Sequence, residues 1–422
     1  MVKGVGEPSG VGEPNGVSEP KGSGEPKKPR RTRRAHRTHR WRRAFLAALI
    51  TGAVVVPLSG ATRPEAPAPA PVSVAHATAA TLDEAYAANR ANATEASRMA
   101  EAHGYRERAA ADRAMADPSR HYLAFDGRGS GLATEVFGDL AHADRIAVLV
   151  PGSDTSIDTY DRFRDAARAL HERLTREAPQ GTRTAVVAWL GYETPGTVST
   201  TVATPDRAEK AAPKLREFIR QLRALTAGGR GGASGPGGAS GPSGPSGPGG
   251  PGGPGGPGGA SGLDRASGLS ESVGSVGSDG SVESGRSGGS VGSADSKPRI
   301  SLLCHSYGSV VCGHAASQLD VDDIVLVGSP GTGADTAAAL HTPARVWAAR
   351  GSDDWVGEVP HIKIDLLGTT VGFGTDPVSP PFGARVFAAG SGGHSDYFRP
   401  GSTSLANMTR IVLGETPEVT HD

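Results

Sequence analysis

Short apolar segments that alternate with amphipathic segments place the strongest constraint on this fold. Each apolar segment is rich in Val, Ile or Leu. They occupy residues 145–152, 184–192, 299–306, 323–331, 344–350 and 384–390. Runs of this length are typical of strands buried on both faces. Apolar residues at helical spacing lie between them, at 158–178, 205–227 and from 309 onward. The alternation predicts an α/β fold, with a mostly parallel sheet between two layers of helices.

The folded core is smaller than the chain of 422 residues. Gly 61, Pro 32 and only 5% aromatic residues indicate low-complexity segments. Residues 228–297 are almost entirely Gly, Ser and Pro, and predict a disordered insertion. Because this insertion follows a helix and precedes a strand, we expect it at the edge of the sheet opposite the ligand-binding edge. The formal net charge is zero, so charge gives no reason to expect a nucleic-acid partner.

The start of the chain has the order of an export signal. Residues 1–43 combine a Glu-Pro repeat with a basic run, and predict a disordered, basic n-region. An apolar segment follows within 44–61, and cleavage after Ala61 suits its small residues. The run Arg42-Arg43-Ala44-Phe45-Leu46 resembles the twin-arginine export motif. We therefore expect an exported protein, extracellular or in the cell envelope.

Two other interpretations of this region stay open. An uncleaved segment 44–58 would anchor the chain to a membrane, although it is shorter than the ~20 residues of a comfortable span. The basic run by itself would suit a nucleic-acid-binding arm. Beyond it, residues 62–80 predict a Pro/Ala-rich linker, residues 81–119 a helical segment, and residues 120–422 the main domain.

Ser306 lies where a nucleophile would be expected. It stands in Cys304-His305-Ser306-Tyr307-Gly308, after an apolar strand and before a helix-compatible segment. A G-x-S-x-G elbow holds its serine on a sharp turn between strand and helix, and small flanking residues let the two elements approach. Cys304 replaces the first glycine here and is small enough to be tolerated. A plain turn capped by serine is the alternative interpretation.

Partners for Ser306 follow in the order that such elbows require, acid and then histidine. Asp354 lies just after the segment 344–350, with Asp353 as the competing acid. His394 follows the last predicted strand on a glycine-rich loop, and we expect it to be the general base. His305 is a poor candidate because neighbours on a sharp turn point apart. His361 is a further alternative.

Backbone N–H groups should complete this site. The expected oxyanion donors are the N–H of Tyr307, directly after the serine, and that of Ser153, just past the strand ending in Pro151-Gly152. Asp154 is the next choice for the second donor. Cys304 and Cys312 do not make a disulfide framework or a zinc pattern. Buried free thiols are the default expectation for them, although an exported protein permits a disulfide.

Several motifs together resemble the α/β-hydrolase superfamily and, more narrowly, the actinobacterial DUF1023 group of α/β-hydrolase-like proteins. They are "VLVPGSDTSIDTYDRF", "WLGYETP", "HSYGSVV", "DDIVLVGSPG", "VWAARGSDDWV" and "GGHSDYF". The resemblance covers about residues 120–415 without the insertion. It implies a three-layer α/β-hydrolase fold and a serine triad at Ser306, Asp354 and His394. It implies no settled substrate.

The expected function is that of an exported serine hydrolase that cleaves an ester through an acyl-enzyme. Few residues separate 323–331 from 344–350, where a lid domain is often inserted, so we expect no large lid and an open cleft. Residues 356–383 are expected to cover part of the site. A small-molecule or lipid-like ester suits such a cleft, and no cofactor or metal is expected. Acyl transfer by the same triad and a non-catalytic envelope-binding module are the alternatives.

Overall fold

The computed structural model describes residues 66–72, 77–231, 297–361, 364–366 and 369–421. The predicted repeat, basic run and apolar segment of residues 1–61 lie outside the described residues, as do residues 232–296 of the predicted insertion. Among the described residues, no helix has both the length and the apolarity needed to cross a membrane. The described part of the 62–80 segment has no regular structure over residues 66–72. It lies against the following helical region, where Asn92 Nδ2 donates to the Ala70 carbonyl at 3.1 Å.

Six α-helices lie within the described residues. They are α1 (Leu82–Ala102), α2 (Arg106–Met115), α3 (Tyr160–Glu177), α4 (Asp206–Gly231), α5 (Gly308–Ala315) and α6 (Thr403–Leu413). Helices α1 and α2 fill the predicted helical segment 81–119. Helices α3, α4 and α5 occupy the three stretches with helical spacing. Helix α6 follows the last strand and is not among the sequence predictions.

Ten strands accompany these helices. They are β1 (His121–Asp126), β2 (Leu132–Phe137), β3 (Arg145–Val150), β4 (Thr184–Leu190), β5 (Arg299–His305), β6 (Asp323–Val327), β7 (Arg345–Ala349), β8 (Ile364–Leu366), β9 (Thr369–Val371) and β10 (Arg385–Val386). Eight form one sheet in the order β1-β2-β4-β3-β5-β6-β7-β10. Strand β2 pairs antiparallel with both of its neighbours, β1 and β4, and all other neighbouring strands of this sheet pair parallel. The prediction of a mostly parallel sheet is confirmed.

Strand β3 shows why the central strands are apolar throughout. Ile146, Val148 and Val150 belong to the core on one face, with apolar residues of α4 and α5. Ala147 and Leu149 belong to the core on the other face, with residues of α3 and α6. Side chains alternate between faces with period two, so a strand covered on both faces needs apolar residues at every position. The result is a three-layer fold.

The two antiparallel strands β1 and β2 escape the sequence analysis. Glu135 in β2 is 1% exposed, and it interrupts what would otherwise be an apolar run. Its carboxylate accepts hydrogen bonds from Arg120 at 2.9 Å and from Arg164 at 3.1 Å. A buried carboxylate is tolerated when paired in this way. Because both partners come from other elements, the sequence pattern around Glu135 does not indicate a buried strand.

The last predicted strand, 384–390, is mostly not a strand. Only Arg385–Val386 pair with β7, although the Phe387 N–H still donates to the Ala348 carbonyl. The Ala388 N–H then donates to Thr420, and the Ala388 carbonyl accepts from Asn407 Nδ2 of α6. From Ala388 onward, the chain therefore hydrogen-bonds to the C-terminal segment and α6 and not to β7, before it enters the glycine-rich loop.

The expectation of free thiols is wrong. Cys304, at the end of β5, forms a disulfide with Cys312 in α5. Both side chains are fully buried. Helix α5 turns back along the sheet directly after the elbow, which brings residues eight positions apart within reach of each other. The disulfide joins the two elements that flank Ser306.

No large lid covers the sheet within the described residues. Only one short turn of 3₁₀ helix, Ala338–Leu340, occupies the connection from β6 to β7. After β7, the strands β8 and β9 form a two-stranded hairpin. Phe373 follows this hairpin, and its carbonyl accepts from the N–H groups of Thr332 and Gly333. Within the described residues of the segment 356–383, Phe373 therefore packs against the connection that follows β6.

Candidate active site

Ser306 occupies a strained turn between β5 and α5. Its backbone φ is +53°, a left-handed value that is uncommon for a residue with a side chain. Gly308 is required there, because a Cβ on it would lie 2.6 Å from the Val150 carbonyl oxygen. A Cβ on Gly152 would lie 2.6 Å from the Cβ of Ser306. The elbow is thus built by glycines that let β3, β5 and α5 meet closely.

His394 lies beside this serine. Its Nε2 is 2.8 Å from Ser306 Oγ. Its Nδ1 is 2.9 Å from Asp354 Oδ1 and 3.1 Å from Asp354 Oδ2. A carboxylate can only accept hydrogen bonds, so Nδ1 carries the ring proton and donates a hydrogen bond to Asp354. This leaves Nε2 free to accept a hydrogen bond from the serine hydroxyl. The structure therefore brings together the three side chains that the sequence analysis selected.

Asp354, not Asp353, is the carboxylate at this histidine. The Asp354 side chain is buried, and it also caps a 3₁₀ turn by accepting from the Val356 N–H at 2.9 Å. Asp353 is exposed, and its Oδ1 accepts from the Ser352 hydroxyl at 3.3 Å. The N-cap geometry turns the Asp354 side chain inward while its neighbour faces solvent.

Tyr397 is a further partner of Asp354 that the sequence analysis missed. Its hydroxyl donates to Asp354 Oδ2 at 2.5 Å and accepts from the Gly351 N–H at 3.1 Å. Burial raises the pKa of Asp354, but hydrogen bonds from His394, Tyr397 and the Val356 N–H outweigh it, so the pKa lies below its usual value. Burial and the nearby carboxylate raise the pKa of Tyr397. Asp354 is therefore held ionised and Tyr397 protonated.

His305 supports the histidine loop. Its Nε2 donates to the backbone carbonyl of His394 at 2.7 Å, and the two rings lie 4.8 Å apart. Burial, and then the neighbouring His394 ring, lower the pKa of His305 to about 4. His361 is placed elsewhere, with Nδ1 3.1 Å from the Pro330 carbonyl. Neither alternative histidine hydrogen-bonds to Ser306 in the described structure.

The lowered pKa of His305 predicts a pH-dependent stability. The unfolded chain binds this proton below about pH 6.5 and the folded chain only below about pH 4. The contribution of His305 to the free energy of unfolding is therefore fully present above its pKa in the unfolded chain, and it is lost as the pH falls towards 4. Because His305 as a residue is only half-buried, we expect a loss of about 1 to 3 kcal/mol.

Urea unfolding at pH 7.5 and 4.5 measures this loss in wild type and in His305→Gln. The glutamine amide can still donate to the His394 carbonyl but does not titrate. Wild type should lose more stability than the variant between the two pH values. Equal losses in both proteins would contradict the assignment.

The Pro151–Asp154 loop faces Ser306 through Gly152. The Asp154 N–H donates to the Pro195 carbonyl at 3.0 Å, so it is not available as an oxyanion donor. No hydrogen-bond acceptor for the N–H of Ser153 or Tyr307 is found within the described part of the chain. Asp154 itself has φ +58°, and its carboxylate accepts from the N–H and hydroxyl of Thr197. These hydrogen bonds tie the loop to Thr197 next to the expected donor, Ser153.

Comparisons with known proteins agree with the sheet topology. A model of a family described as Alpha/beta hydrolase matches residues 126–233 and 287–364. Two uncharacterized proteins of Mycobacterium tuberculosis, from strains H37Rv and CDC 1551, are each 26% identical to the chain over 338 residues. These matches cover 72% of this chain and 41% of each relative. The chain therefore spans about two-fifths of the length of the curated relatives it matches.

Solved structures of similar architecture include a lidless α/β serine hydrolase from Xanthomonas campestris. It is 13% identical, with a TM-score of 0.35, and the match covers 71% of this chain and 95% of that one. The esterase LipW from Mycobacterium marinum is 12% identical, with a TM-score of 0.33, 75% of this chain covered and 87% of that one. The strand order and the family match carry the fold assignment.

Proposed function

Because the chain belongs to the α/β-hydrolase superfamily, we propose that it is a serine hydrolase that cleaves esters through an acyl-enzyme. One observation carries this proposal: an unbroken hydrogen-bonded line from Ser306 Oγ through the His394 ring to Asp354. Family membership supports hydrolysis in general. The ester bond, the residue roles and the narrower DUF1023 assignment are our proposals.

Acylation begins when Ser306 Oγ attacks the ester carbonyl carbon and passes its proton to His394 Nε2. The carbonyl π electrons move to oxygen, and the N–H groups of Ser153 and Tyr307 stabilise the resulting oxyanion. Asp354 stabilises the imidazolium that forms. Collapse of the tetrahedral species breaks the bond to the alcohol oxygen. His394 gives its proton to that oxygen, and an acyl group remains on Ser306.

Deacylation repeats these steps with water. His394 takes a proton from the water as its oxygen attacks the acyl carbon, and then returns a proton to Ser306 Oγ as the acid leaves. The site has no large lid among the described residues, so the cleft is open to solvent and to substrates that extend beyond it. An alcohol in place of water would give acyl transfer by the same residues.

Pre-steady-state kinetics with p-nitrophenyl esters test this proposal. We expect a burst of p-nitrophenol equal to the amount of enzyme, followed by slower turnover, because acylation by an activated ester outruns hydrolysis of the acyl-enzyme. Mass spectrometry of the quenched protein should show the acyl group on the Ser306 peptide. No turnover and no acylation by a folded protein would favour the non-catalytic binding module.

We also propose that the protein is exported. The basic and apolar order of residues 1–61 supports this, and so does the Cys304–Cys312 disulfide, because disulfides persist mainly in oxidising compartments. Replacing Arg42-Arg43 by Lys-Lys should retain the protein inside an actinobacterial host if the twin-arginine route is used.

Immunoblots of cell and culture fractions measure this outcome. The matched control replaces Arg30-Arg31 by Lys-Lys, which makes the same charge-conserving substitution outside the motif. Equal secretion of both variants would contradict the twin-arginine assignment. Retention of wild type inside the cell would contradict export.

A further inference from the structure

Trp355 is an exposed aromatic side chain directly against the candidate site. It is 52% exposed, whereas Trp189 and Trp347 are 3% and 2% exposed. Its ring centroid lies 4.8 Å from that of His394, with an angle of 49° between the planes. Trp side chains are enriched at binding surfaces, where a large apolar ring becomes covered by the ligand. Nothing in the mechanism above uses this ring.

The backbone on both sides of Trp355 is anchored. Asp354 precedes it, with a buried carboxylate bound to His394, Tyr397 and the Val356 N–H. Val356 follows it and is 1% exposed. Trp355 therefore projects outward from a fixed backbone. A Trp side chain has only two χ angles, so on a fixed backbone it loses little conformational entropy when a ligand packs on it, and the position suits recognition.

The exposed apolar residues of the described chain concentrate at the same edge of the sheet. Large apolar side chains that remain exposed are Val72, Val198, Trp355 and Ile364. Val198 lies in the connection after β4, and Trp355 and Ile364 lie in the connection after β7. Both connections start at the C-terminal ends of parallel strands. The Gly372 N–H, just past the hairpin, donates to the Ala203 carbonyl and links these two connections. Among these exposed apolar residues, Trp355 is the one whose ring lies against a residue of the candidate site, His394.

The chemistry of the triad decides which part of an ester would meet Trp355. His394 Nε2 protonates the leaving alcohol, so the alcohol must lie on the His394 side of Ser306. The carbonyl oxygen points instead to the N–H groups of Ser153 and Tyr307. Trp355 is the ring that packs on His394 from an exposed position. We propose that Trp355 binds the apolar alcohol portion of the ester, an inference that rests on the proposed function.

This placement separates the two halves of the reaction. The alcohol departs before deacylation, so Trp355 contributes to acylation and not to hydrolysis of the acyl-enzyme. An apolar alcohol that accepts the acyl group would occupy the same position. The substrate class is therefore an ester of an apolar, preferably aromatic alcohol, with the acyl group directed away from Trp355.

Two ester series test the inference on the full chain. One series varies the alcohol, benzyl acetate against ethyl acetate, and the other varies the acyl group, ethyl butyrate against ethyl acetate. Trp355→Ala should lower the benzyl-to-ethyl ratio of kcat/KM about tenfold, the size expected for one aromatic contact with its buried area. The butyrate-to-acetate ratio should stay at the wild-type value. Trp355→Phe should retain part of the benzyl preference.

Controls make the outcomes distinct. Val72→Ala removes an exposed apolar side chain two residues after Ala70, whose carbonyl accepts from Asn92 of α1, and should leave both ratios unchanged. A separate sample of each protein is tested for fluorophosphonate labelling. If the wild type takes the label but the benzyl preference survives in both Trp355 variants, or the acyl ratio changes instead, this inference alone is overturned. A folded wild type that takes no label overturns the proposed function and this inference together.

Discussion

Replacing Ser306 by Ala should abolish fluorophosphonate labelling and lower kcat for ester hydrolysis by on the order of 10⁶-fold. The serine oxygen is the only atom within hydrogen-bond distance of His394 Nε2 in the described structure that can form the acyl bond. Without it, His394 and Asp354 have no nucleophile to activate. Residual catalysis would come from the oxyanion donors and from binding alone. Gel fluorescence of the labelled protein and ester turnover measure the two effects.

Ser352→Ala is the matched control for this experiment. Ser352 is exposed, lies two residues before Asp354, and its hydroxyl donates to Asp353 and not to the histidine. The control should label at the wild-type rate. Labelling that persists in Ser306→Ala would mean that another nucleophile reacts. A folded wild type that does not label would make the non-catalytic module the better account.

Replacing Asp354 by Asn should lower kcat about 10⁴-fold, because an amide can donate to His394 Nδ1 and so favour the wrong tautomer. Asn keeps one oxygen that can accept from the Val356 N–H, and its NH₂ takes the place of the oxygen bonded to Tyr397, where it can donate to the tyrosine hydroxyl, so the fold should survive. Asp353→Asn removes the neighbouring charge from an exposed position and should change kcat by less than about threefold. Steady-state kinetics near pH 7.5 distinguish the two acids.

The two variants also test directly which of Asp353 and Asp354 is the triad acid, a choice that the sequence left open. A larger loss in Asp353→Asn than in Asp354→Asn would mean that the loop rearranges when substrate binds. Equal losses would assign the effect to the charge of the loop as a whole. Thermal melting of both variants should show native folding, which ties any difference to catalysis.

The periodic elements of the fold follow from local pattern. Strands β3 to β7 are continuous apolar runs because both faces are covered, and α3 and α4 show the stripe that faces the sheet. Strands β1 and β2 were missed because Glu135 is buried only through Arg120 and Arg164, which come from other elements. Most of the segment 384–390 does not form the predicted strand, because the backbone of Ala388 hydrogen-bonds to α6 and to the C-terminal segment and not to β7.

The residues of the candidate site likewise fall into those that the sequence identified and those that it did not. Ser306 and His394 were chosen from sequence because chain order and strand ends place them at one edge of a parallel sheet. The choice between Asp353 and Asp354 needed the cap geometry, since adjacent residues share every sequence feature used. Tyr397 and His305 act through hydrogen bonds to residues far away in the chain, and no local spacing marks such contacts.

The layered α/β architecture, the sharp serine turn and the order of its partners follow from sequence patterns, because they depend on periodicity and on glycines at close approaches. Which carboxylate meets the histidine, which hydroxyl supports it, whether the cysteines pair and where Trp355 points became known from the three-dimensional arrangement. Most of those outcomes depend on distances between segments separated by tens of residues, and the cysteine pairing depends on how the helix after the elbow turns back along the sheet. Burial and hydrogen bonding act on atoms that meet in space, whatever their separation along the chain.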